Sequence, residues 1–214
     1  MKATTLLILV CFIAYPFGIK YGDILCFKYS GFVDHREWWR VITAIFVHAN
    51  IPHLLWNMLF LLLFGRSLEK NIGSARLLFC FLVGGVISFL SSCFFYSMGQ
   101  PLVGASGAIC TIIGLLMIYN PWKISFVLNF FPMPLGVAAL TYMTLNILQA
   151  YFQNKENVEG THTAYELHVI GFIVGILFGI LWNNDWKKNL LICLISFIAF
   201  YLIIGAIIYY LNNA

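Results

Sequence analysis

At its centre the chain reads Val103-Gly104-Ala105-Ser106-Gly107-Ala108, a run of small residues between a polar turn and an apolar segment. Other polar residues interrupt apolar segments far away in the sequence, namely His53, Asn57 and His168. A polar side chain inside a membrane has a high free-energy cost, so it commonly serves a function. If the chain is a membrane bundle, these positions indicate a site.

The composition predicts a polytopic membrane protein. Of the 214 residues, 62% are hydrophobic and 9% are charged, and the mean hydropathy is +0.91. A soluble domain is about half apolar and about a quarter charged. The net charge of +4 is spread over loops and forms no basic stripe, which favours the headgroups of a lipid bilayer over nucleic acid as a partner. The six cysteines contain no CxxC pair, so we expect no disulfide framework.

Apolar segments long enough to cross a bilayer recur along the chain. Between them, residues 20–40 are expected to form structure at the interface, 122–133 to be interfacial or re-entrant, and 65–74 and 183–188 to be turns. No linker or soluble domain is evident, so we predict an all-α membrane bundle forming a single domain over 1–214. The predicted spans are about 4–19, 51–64, 75–97, 106–119, 134–152, 164–182 and 190–211.

The loop charges give an orientation. Seven Lys and Arg residues fall on the side of the N-terminus and five on the other side. Cytoplasmic loops carry the excess of positive charge. We therefore expect a multi-pass protein of the cell membrane with a cytoplasmic N-terminus.

The predicted topology places the unusual polar residues at one face of the membrane, because the second, fourth and sixth spans all begin there. His53 and Asn57 lie in the first turns of the second span, Ser106 opens the fourth, and His168 lies early in the sixth. A common shallow depth argues against a small helical transporter, whose polar residues should line a path through the bilayer.

Ser106 is a candidate nucleophile. A serine hydroxyl is a weak nucleophile until a base takes its proton, and histidine is the usual base near neutral pH. Gly104 and Gly107 would let a substrate backbone approach, and the start of a helix favours a developing oxyanion. The same small residues are typical of a packing surface between membrane helices, which remains the alternative.

His168 is the candidate base. Gly171, Gly175 and Gly179 recur every four residues and predict a flat stripe that packs closely against a small-residue surface such as that around Ser106. His168 lies one turn before Gly171 on nearly the same face, so its ring should reach the serine hydroxyl. A histidine that only bonds neighbouring helices is the alternative.

His48, His53 and Asn57 form a third group. His53 and Asn57 are four residues apart and share a helix face, where side-chain donors could stabilise an oxyanion. Together with His168, the group could instead ligate zinc, although the His-Glu-x-x-His spacing and a carboxylate are missing. A hydrogen-bonded cluster at the start of a helix is the third interpretation.

Together these residues resemble the rhomboid family of intramembrane serine proteases. The resemblance covers about residues 1–183 and implies a six-helix core there, with a seventh helix added over about 190–211. The motifs occur in the family's order: Trp39-Arg40, His48, His53-Leu54-Leu55-Trp56-Asn57, Leu68-Glu69 with Gly73-Ser74, Gly104-Ala105-Ser106-Gly107, and His168-x-x-Gly171-x-x-x-Gly175.

The resemblance also implies roles. Ser106 would be the nucleophile and His168 its base, with no acidic third member and with neither metal nor cofactor. His53, Asn57 and the backbone amide of Ser106 would form the oxyanion hole. Arg40 would hold the first loop.

In the same way, Glu69 would hold the turn after the second helix. Substrates would be transmembrane proteins with small side chains near the cut. They would reach the site beside the fifth helix, under the loop 153–162. The resemblance leaves the oligomeric state open.

Two positions depart from the family's pattern. Cys110 stands one turn after the serine, where an aromatic ring often packs on the histidine, and Leu167 precedes the histidine, where a small residue is common. Both could alter how the histidine is held. No reacting group is missing, so we expect a protease in preference to a catalytically silent relative that binds or escorts membrane proteins.

Overall fold

The computed structural model describes residues 2–125, 132–156 and 163–213. Its regular structure is almost entirely helical, with one short antiparallel pair of strands. The helices are α1 (Ala3–Leu25), α2 (Tyr29–Asp34), α3 (Arg40–Phe46), α4 (Ile51–Phe60), α5 (Arg66–Leu90), α6 (Ser106–Tyr119), α7 (Leu135–Glu156), α8 (Tyr165–Trp182) and α9 (Trp186–Asn213). A π-helical turn (Leu61–Gly65) joins α4 to α5, a 3-10 turn (Ser91–Phe94) follows α5, and the strands are β1 (Ile124–Ser125) and β2 (Met133–Pro134).

The 44-residue helical stretch Ile51–Phe94 makes two passes. Gly73 interrupts it with φ 80° and ψ 165°, a conformation that glycine adopts without steric strain. The ring of His53 lies against Gly104, and Ser88 lies against Gly107, so both ends of the stretch meet the start of α6. An unbroken helix would separate residues 53 and 88 by about 50 Å. The chain therefore reverses at Gly73.

Among the described residues, five helical segments are long and apolar enough to cross a bilayer, and the stretch Ile51–Phe94 is one of them. The shorter α6 is buried all round from Gly107 to Ile118, as expected of an apolar helix at the centre of a bundle. α9 packs on α7 and α6 and exposes most of its apolar side chains. The described chain is thus a six-helix core with one further C-terminal helix, which confirms the predicted fold class.

α6 and α8 form the closest helix pair of the bundle. A Cβ atom on Gly171 would collide with the Gly107 carbonyl, and one on Gly175 would collide with the Thr111 carbonyl. The Thr111 hydroxyl donates to the Gly171 carbonyl at 2.9 Å across the pair. Small residues that let helix backbones touch are the usual basis of such packing in membranes. The predicted glycine stripe therefore sets the position of α8 on α6.

The far end of α6 is tied to the C-terminal helix. The Ile118 carbonyl accepts hydrogen bonds from the side-chain amides of Asn183 and Asn189, at 2.9 and 2.8 Å. The last carbonyls of a helix have no partner within it, and these amides supply one. Nearby, Gly136 at the start of α7 lies against Cys193 of α9.

The predicted turn over 65–74 is wrong, because these residues are helical except at Gly73. The charges suggested a solvated turn, but the carboxylate of Glu69 is buried in a long-range contact. It accepts from the backbone N–H groups of Ala3 and Thr4 and from the hydroxyls of Thr4 and Ser74. A buried charge is tolerated when it is hydrogen-bonded in this way. Glu69 thereby joins the start of α1 to the reversal at Gly73.

Two further boundaries differ from the predictions. α1 continues to Leu25, beyond the predicted end at residue 19, and α9 begins at Trp186, inside the predicted turn 183–188. Helices often continue past the apolar core of a bilayer into the interface, where hydropathy no longer marks them. Residues 126–131 of the predicted interfacial or re-entrant segment lie outside the described residues. So do residues 157–162 of the predicted loop 153–162.

Candidate active site

Ser106 is the first residue of α6, and its hydroxyl lies 2.8 Å from Nε2 of His168. The turn before it depends on Gly104, which has φ 119°. A side chain there would be strained and would also strike the ring of His53. The first N–H groups of a helix have no acceptor within the helix. Ser106 thus combines a hydrogen-bonded hydroxyl with backbone donors that are available to a ligand.

The segment that leads into Ser106 is held by backbone hydrogen bonds to the first loop. Phe27 and Leu102 exchange two such bonds, each of 2.9 Å, and Gly104 donates to the Ala44 carbonyl at 2.9 Å. These bonds involve no special side chain. The first loop therefore positions the serine through backbone contacts, which neither hydropathy nor motif analysis detects.

The guanidinium of Arg40 bonds several parts of that loop. Its guanidinium binds the Glu37 carboxylate through Nε at 2.6 Å and Nη2 at 3.0 Å. Nη1 donates to the carbonyls of Asp23 and Cys26 at the end of α1. The hydrogen bonds from Arg40 lower the pKa of the Glu37 carboxyl. Trp39 is exposed beside this cluster, within the segment 20–40 that we expect at the membrane interface.

His168 lies in the first turn of α8 and is 7% exposed. Its two ring nitrogens have different partners: Nε2 meets the Ser106 hydroxyl, and Nδ1 lies 2.8 Å from Oδ1 of Asn146 on α7. The ring of Tyr165 stands perpendicular to it at a centroid distance of 6.1 Å. Gly171, one turn later, is where α8 touches α6, so the histidine is carried on the most tightly packed helix pair.

His53 and Asn57 face the same space from α4. The side chain of Asn50 caps this helix by accepting from the His53 backbone N–H at 2.8 Å. The Asn57 amide donates to the His53 carbonyl at 2.8 Å, and an amide nitrogen carries a second N–H. His48 lies behind His53, with the two rings edge to face at a centroid distance of 5.2 Å.

A cavity of about 530 Å³ joins these side chains. Ser106, His168, His53 and Asn57 all line it, so the structure brings together the polar residues singled out in the sequence. Aromatic side chains complete its wall, namely Trp56, Phe60 and Tyr142. The arrangement offers a hydrogen-bonded serine–histidine pair, nearby donors and room for an extended polypeptide segment.

Several predicted site residues do not line this cavity. Gly175 belongs to the α6–α8 contact, Trp39 and Arg40 to the first loop, and Glu69 to the opposite end of the bundle. Of the two departures, Cys110 lines the cavity, whereas Leu167 is buried in the core. Among the described residues, His, Cys, Asp and Glu side chains form no group of three that could hold a metal ion.

Sequence reasoning missed two contacts of this region. Asn146 on α7 is 2% exposed and binds His168, although it interrupts the apolar run Leu145–Leu148 and could have been noticed as a polar residue within a span. Glu166 accepts a hydrogen bond from the hydroxyl of Tyr96. That bond links the start of α8 to the segment that follows α5, and the local sequence pattern does not predict it.

Comparison with known proteins gives matches that cover most of the chain. The family model of the rhomboid domain matches residues 35–185. The rhomboid protease GlpG of Haemophilus influenzae is 26% identical over 193 residues, which cover 88% of this chain and 94% of that protein.

Two proteins of Bacillus subtilis match a shorter part. The putative rhomboid protease YdcA is 38% identical over 85 residues, covering 40% of this chain and 43% of that protein. The rhomboid protease GluP is 37% identical over 90 residues, covering 42% of this chain and 17% of that protein. The chain thus spans less than half the length of these two Bacillus relatives.

Proposed function

The chain belongs to the rhomboid family, and from that premise we propose that it is a serine endopeptidase that cleaves transmembrane or juxtamembrane segments of other membrane proteins. It is an integral, multi-pass membrane protein. The observation that carries the proposal is the 2.8 Å contact between the Ser106 hydroxyl and His168 Nε2 at the wall of a 530 Å³ cavity.

The first step of the proposed reaction is acylation of Ser106. His168 accepts the hydroxyl proton on Nε2, and the serine oxygen attacks the scissile carbonyl carbon. The imidazolium then donates that proton to the leaving amine, which departs and leaves an acyl-enzyme. A positioned general base contributes about 10²–10⁴-fold to such a step.

The second step returns the serine. A water molecule gives its proton to His168 and attacks the acyl carbonyl, and the proton returns to the Ser106 oxygen as the acid product leaves. Water must reach Ser106 through the cavity, whose wall carries the polar side chains of His53 and Asn57. Dry hydrocarbon around the site would not permit hydrolysis.

In both steps the oxyanion is stabilised by donors around the cavity. The proposed donors are the backbone N–H of Ser106, the second N–H of the Asn57 amide and the ring of His53. One such donor is worth about 10²–10³-fold in rate. His48, behind His53, and Gly104, beneath it, keep that ring in place.

The substrate must reach the cavity from the bilayer and must unwind, because helical carbonyls are hydrogen-bonded. α7 carries Tyr142 on the cavity wall, so access beside α7 is the route we propose. Small side chains near the cut suit the close approach that Gly104 and Gly107 allow. The domain 1–214, the location in the cell membrane and the cytoplasmic N-terminus remain predictions of the sequence.

Cleavage of a transmembrane reporter by the purified, reconstituted full chain tests the proposal. Ser106→Ala and His168→Ala are each expected to lower cleavage by about 10³-fold or more, because each removes a reacting group. Ser196→Ala, in α9, is the matched control and should cleave normally. Undiminished cleavage by either active-site variant would refute the serine–histidine pair. Reporter binding without cleavage by the wild type would favour the escort function.

A further inference from the structure

We infer that Asn146 is a positioning residue for the base, so that the site is a serine–histidine–asparagine triad spread over α6, α8 and α7. The inference rests on the proposed function and adds a residue to it. It stands on the contacts of two side chains that are almost wholly buried, Asn146 at 2% exposure and His168 at 7%.

The contacts form a line. Oδ1 of Asn146 lies 2.8 Å from Nδ1 of His168, and Nε2 of the same ring lies 2.8 Å from the Ser106 hydroxyl. Both ring nitrogens are therefore occupied, one by the reacting group and the other by the amide. A base whose second nitrogen is held in this way has a fixed ring orientation.

The orientation of the amide follows from its other bond. Nδ2 of Asn146 donates to the Tyr142 carbonyl at 2.8 Å, which turns Oδ1 toward the imidazole. An amide oxygen only accepts hydrogen bonds, so Nδ1 of His168 must be the nitrogen that carries the proton. In the neutral ring Nε2 then has a free lone pair, which is what acceptance of the serine proton requires.

The same bond assists when charge develops. After Nε2 takes the serine proton, the ring is a cation with protons on both nitrogens, and its hydrogen bond to Oδ1 becomes charge-assisted and stronger. No proton passes to the amide. Asn146 thus favours the correct tautomer before the reaction and the imidazolium during it.

The other contacts of the His168 imidazole do not determine which ring nitrogen carries the proton. Tyr165 stands perpendicular to the imidazole, an arrangement that restrains the ring plane and leaves open which nitrogen faces Ser106. Cys110, one turn after the serine, presents a small side chain to the cavity. Because the selecting bond comes from α7, the site is complete only while α7 lies against α8.

Steady-state kinetics on the reconstituted full chain tests the role. Asn146→Ala is expected to lower kcat about 10- to 100-fold with KM nearly unchanged, because the base loses orientation and the substrate does not touch this residue. Asn146→Asp keeps an acceptor facing Nδ1 but loses the hydrogen bond to the Tyr142 carbonyl, so it should restore part of kcat. Thr144→Ala is the matched control, because Thr144 is exposed on α7 and donates to the Leu140 carbonyl of its own helix.

A second readout does not depend on cleavage. Nitrogen-15 NMR of histidine-labelled protein reports which ring nitrogen carries the proton. We expect the Nδ1–H tautomer of His168 in the wild type and a mixture of tautomers in Asn146→Ala at an unchanged melting temperature. Such a change separates positioning from a purely structural role.

The outcomes separate this inference from the function on which it rests. A wild-type kcat and tautomer in Asn146→Ala, with Ser106→Ala inactive, would overturn the triad and leave the protease intact. Loss of kcat, partial recovery in Asn146→Asp and a normal Thr144→Ala support the triad. If neither the wild type nor Ser106→Ala cleaves, the proposed function fails, and the inference fails with it.

Discussion

The two walls of the cavity around Ser106 are built from different kinds of helix contact. On one side α6 and α8 meet backbone to backbone, since Gly171 and Gly175 leave no space for a side chain. On the other side α4 and α7 meet through the rings of Phe60 and Tyr142, at a centroid distance of 6.2 Å. A backbone contact cannot adjust by rotamer changes, whereas an aromatic contact can.

This difference indicates that the two walls have different roles. The nucleophile and the base both start helices of the stiff pair, α6 and α8, so their 2.8 Å contact is set by the glycine packing below them. The adjustable wall, formed by α4 and α7, faces the space that a substrate would occupy. The Asn146–His168 bond connects the two, because it runs from α7 to the base.

Among the variants that alter a wall, Gly171→Ala should have the largest effect, because it breaks the contact between α6 and α8. The new methyl group would meet the Gly107 carbonyl and the Ser88 hydroxyl, so α8 must move away and take His168 with it. Overpacking costs about 1–3 kcal/mol, and a misplacement of about 1 Å can lower a rate about 100-fold. We expect both losses, measured as unfolding free energy and as kcat/KM.

Gly205→Ala is the matched control for that variant, because a Cβ at this position of α9 meets nothing within 4 Å. It should leave kcat/KM unchanged and stability equal or slightly higher. If Gly171→Ala behaved like Gly205→Ala, the stiffness of the α6–α8 contact would be disproved.

Thr111→Val should have an intermediate effect on the same wall. It removes the 2.9 Å hydrogen bond to the Gly171 carbonyl and keeps the shape of the side chain. Hydrogen bonds between membrane helices contribute about 0.6 kcal/mol on average and up to about 1.7 kcal/mol. We therefore expect a loss of about 1 kcal/mol in unfolding free energy. Thr144→Val, at an exposed position of α7, should change it by less, and equal losses would mean that the bond contributes nothing.

Phe60→Ala should have the smallest effect on catalysis, because it acts on the adjustable wall. The substitution removes the ring pairs of Phe60 with Tyr142, Trp56 and Phe64. Each pair is worth about 0.5–1.5 kcal/mol, so stability should fall by about 1.5–4.5 kcal/mol. Ser106, His168 and Asn146 keep their contacts, and kcat should stay within about threefold of the wild type. A fall in kcat/KM as large as that expected for Gly171→Ala would show that the two walls do not differ.

The fold was largely predictable because hydropathy marks the order of the spans and the glycine period marks the α6–α8 contact. Ser106, His168, His53 and Asn57 stood out because each is a polar residue in an apolar segment. The turn at 65–74 was mispredicted because the partner of Glu69 is the start of α1, more than 60 residues away. A local pattern does not contain such a contact.

Other parts of the site leave a weak signal or none. The first loop holds the approach to Ser106 through backbone bonds of Phe27, Leu102 and Ala44, which almost any side chain would permit. Asn146 is visible in the sequence as one polar residue in a span, but its role depends on which ring nitrogen of His168 it meets. That choice follows from the bond to the Tyr142 carbonyl, which only the three-dimensional structure gives.

Labelling of the intact protein with a fluorophosphonate tests directly whether His168 activates Ser106. The reagent phosphonylates a serine only when a base activates its hydroxyl, and peptide mass spectrometry identifies the residue. We expect a single adduct on Ser106 in the wild type, and none in Ser106→Ala or His168→Ala. Two results would contradict the serine–histidine pair. One is an adduct that forms on Ser106 of His168→Ala at the wild-type rate. The other is wild-type protein that cleaves a reporter and takes no label.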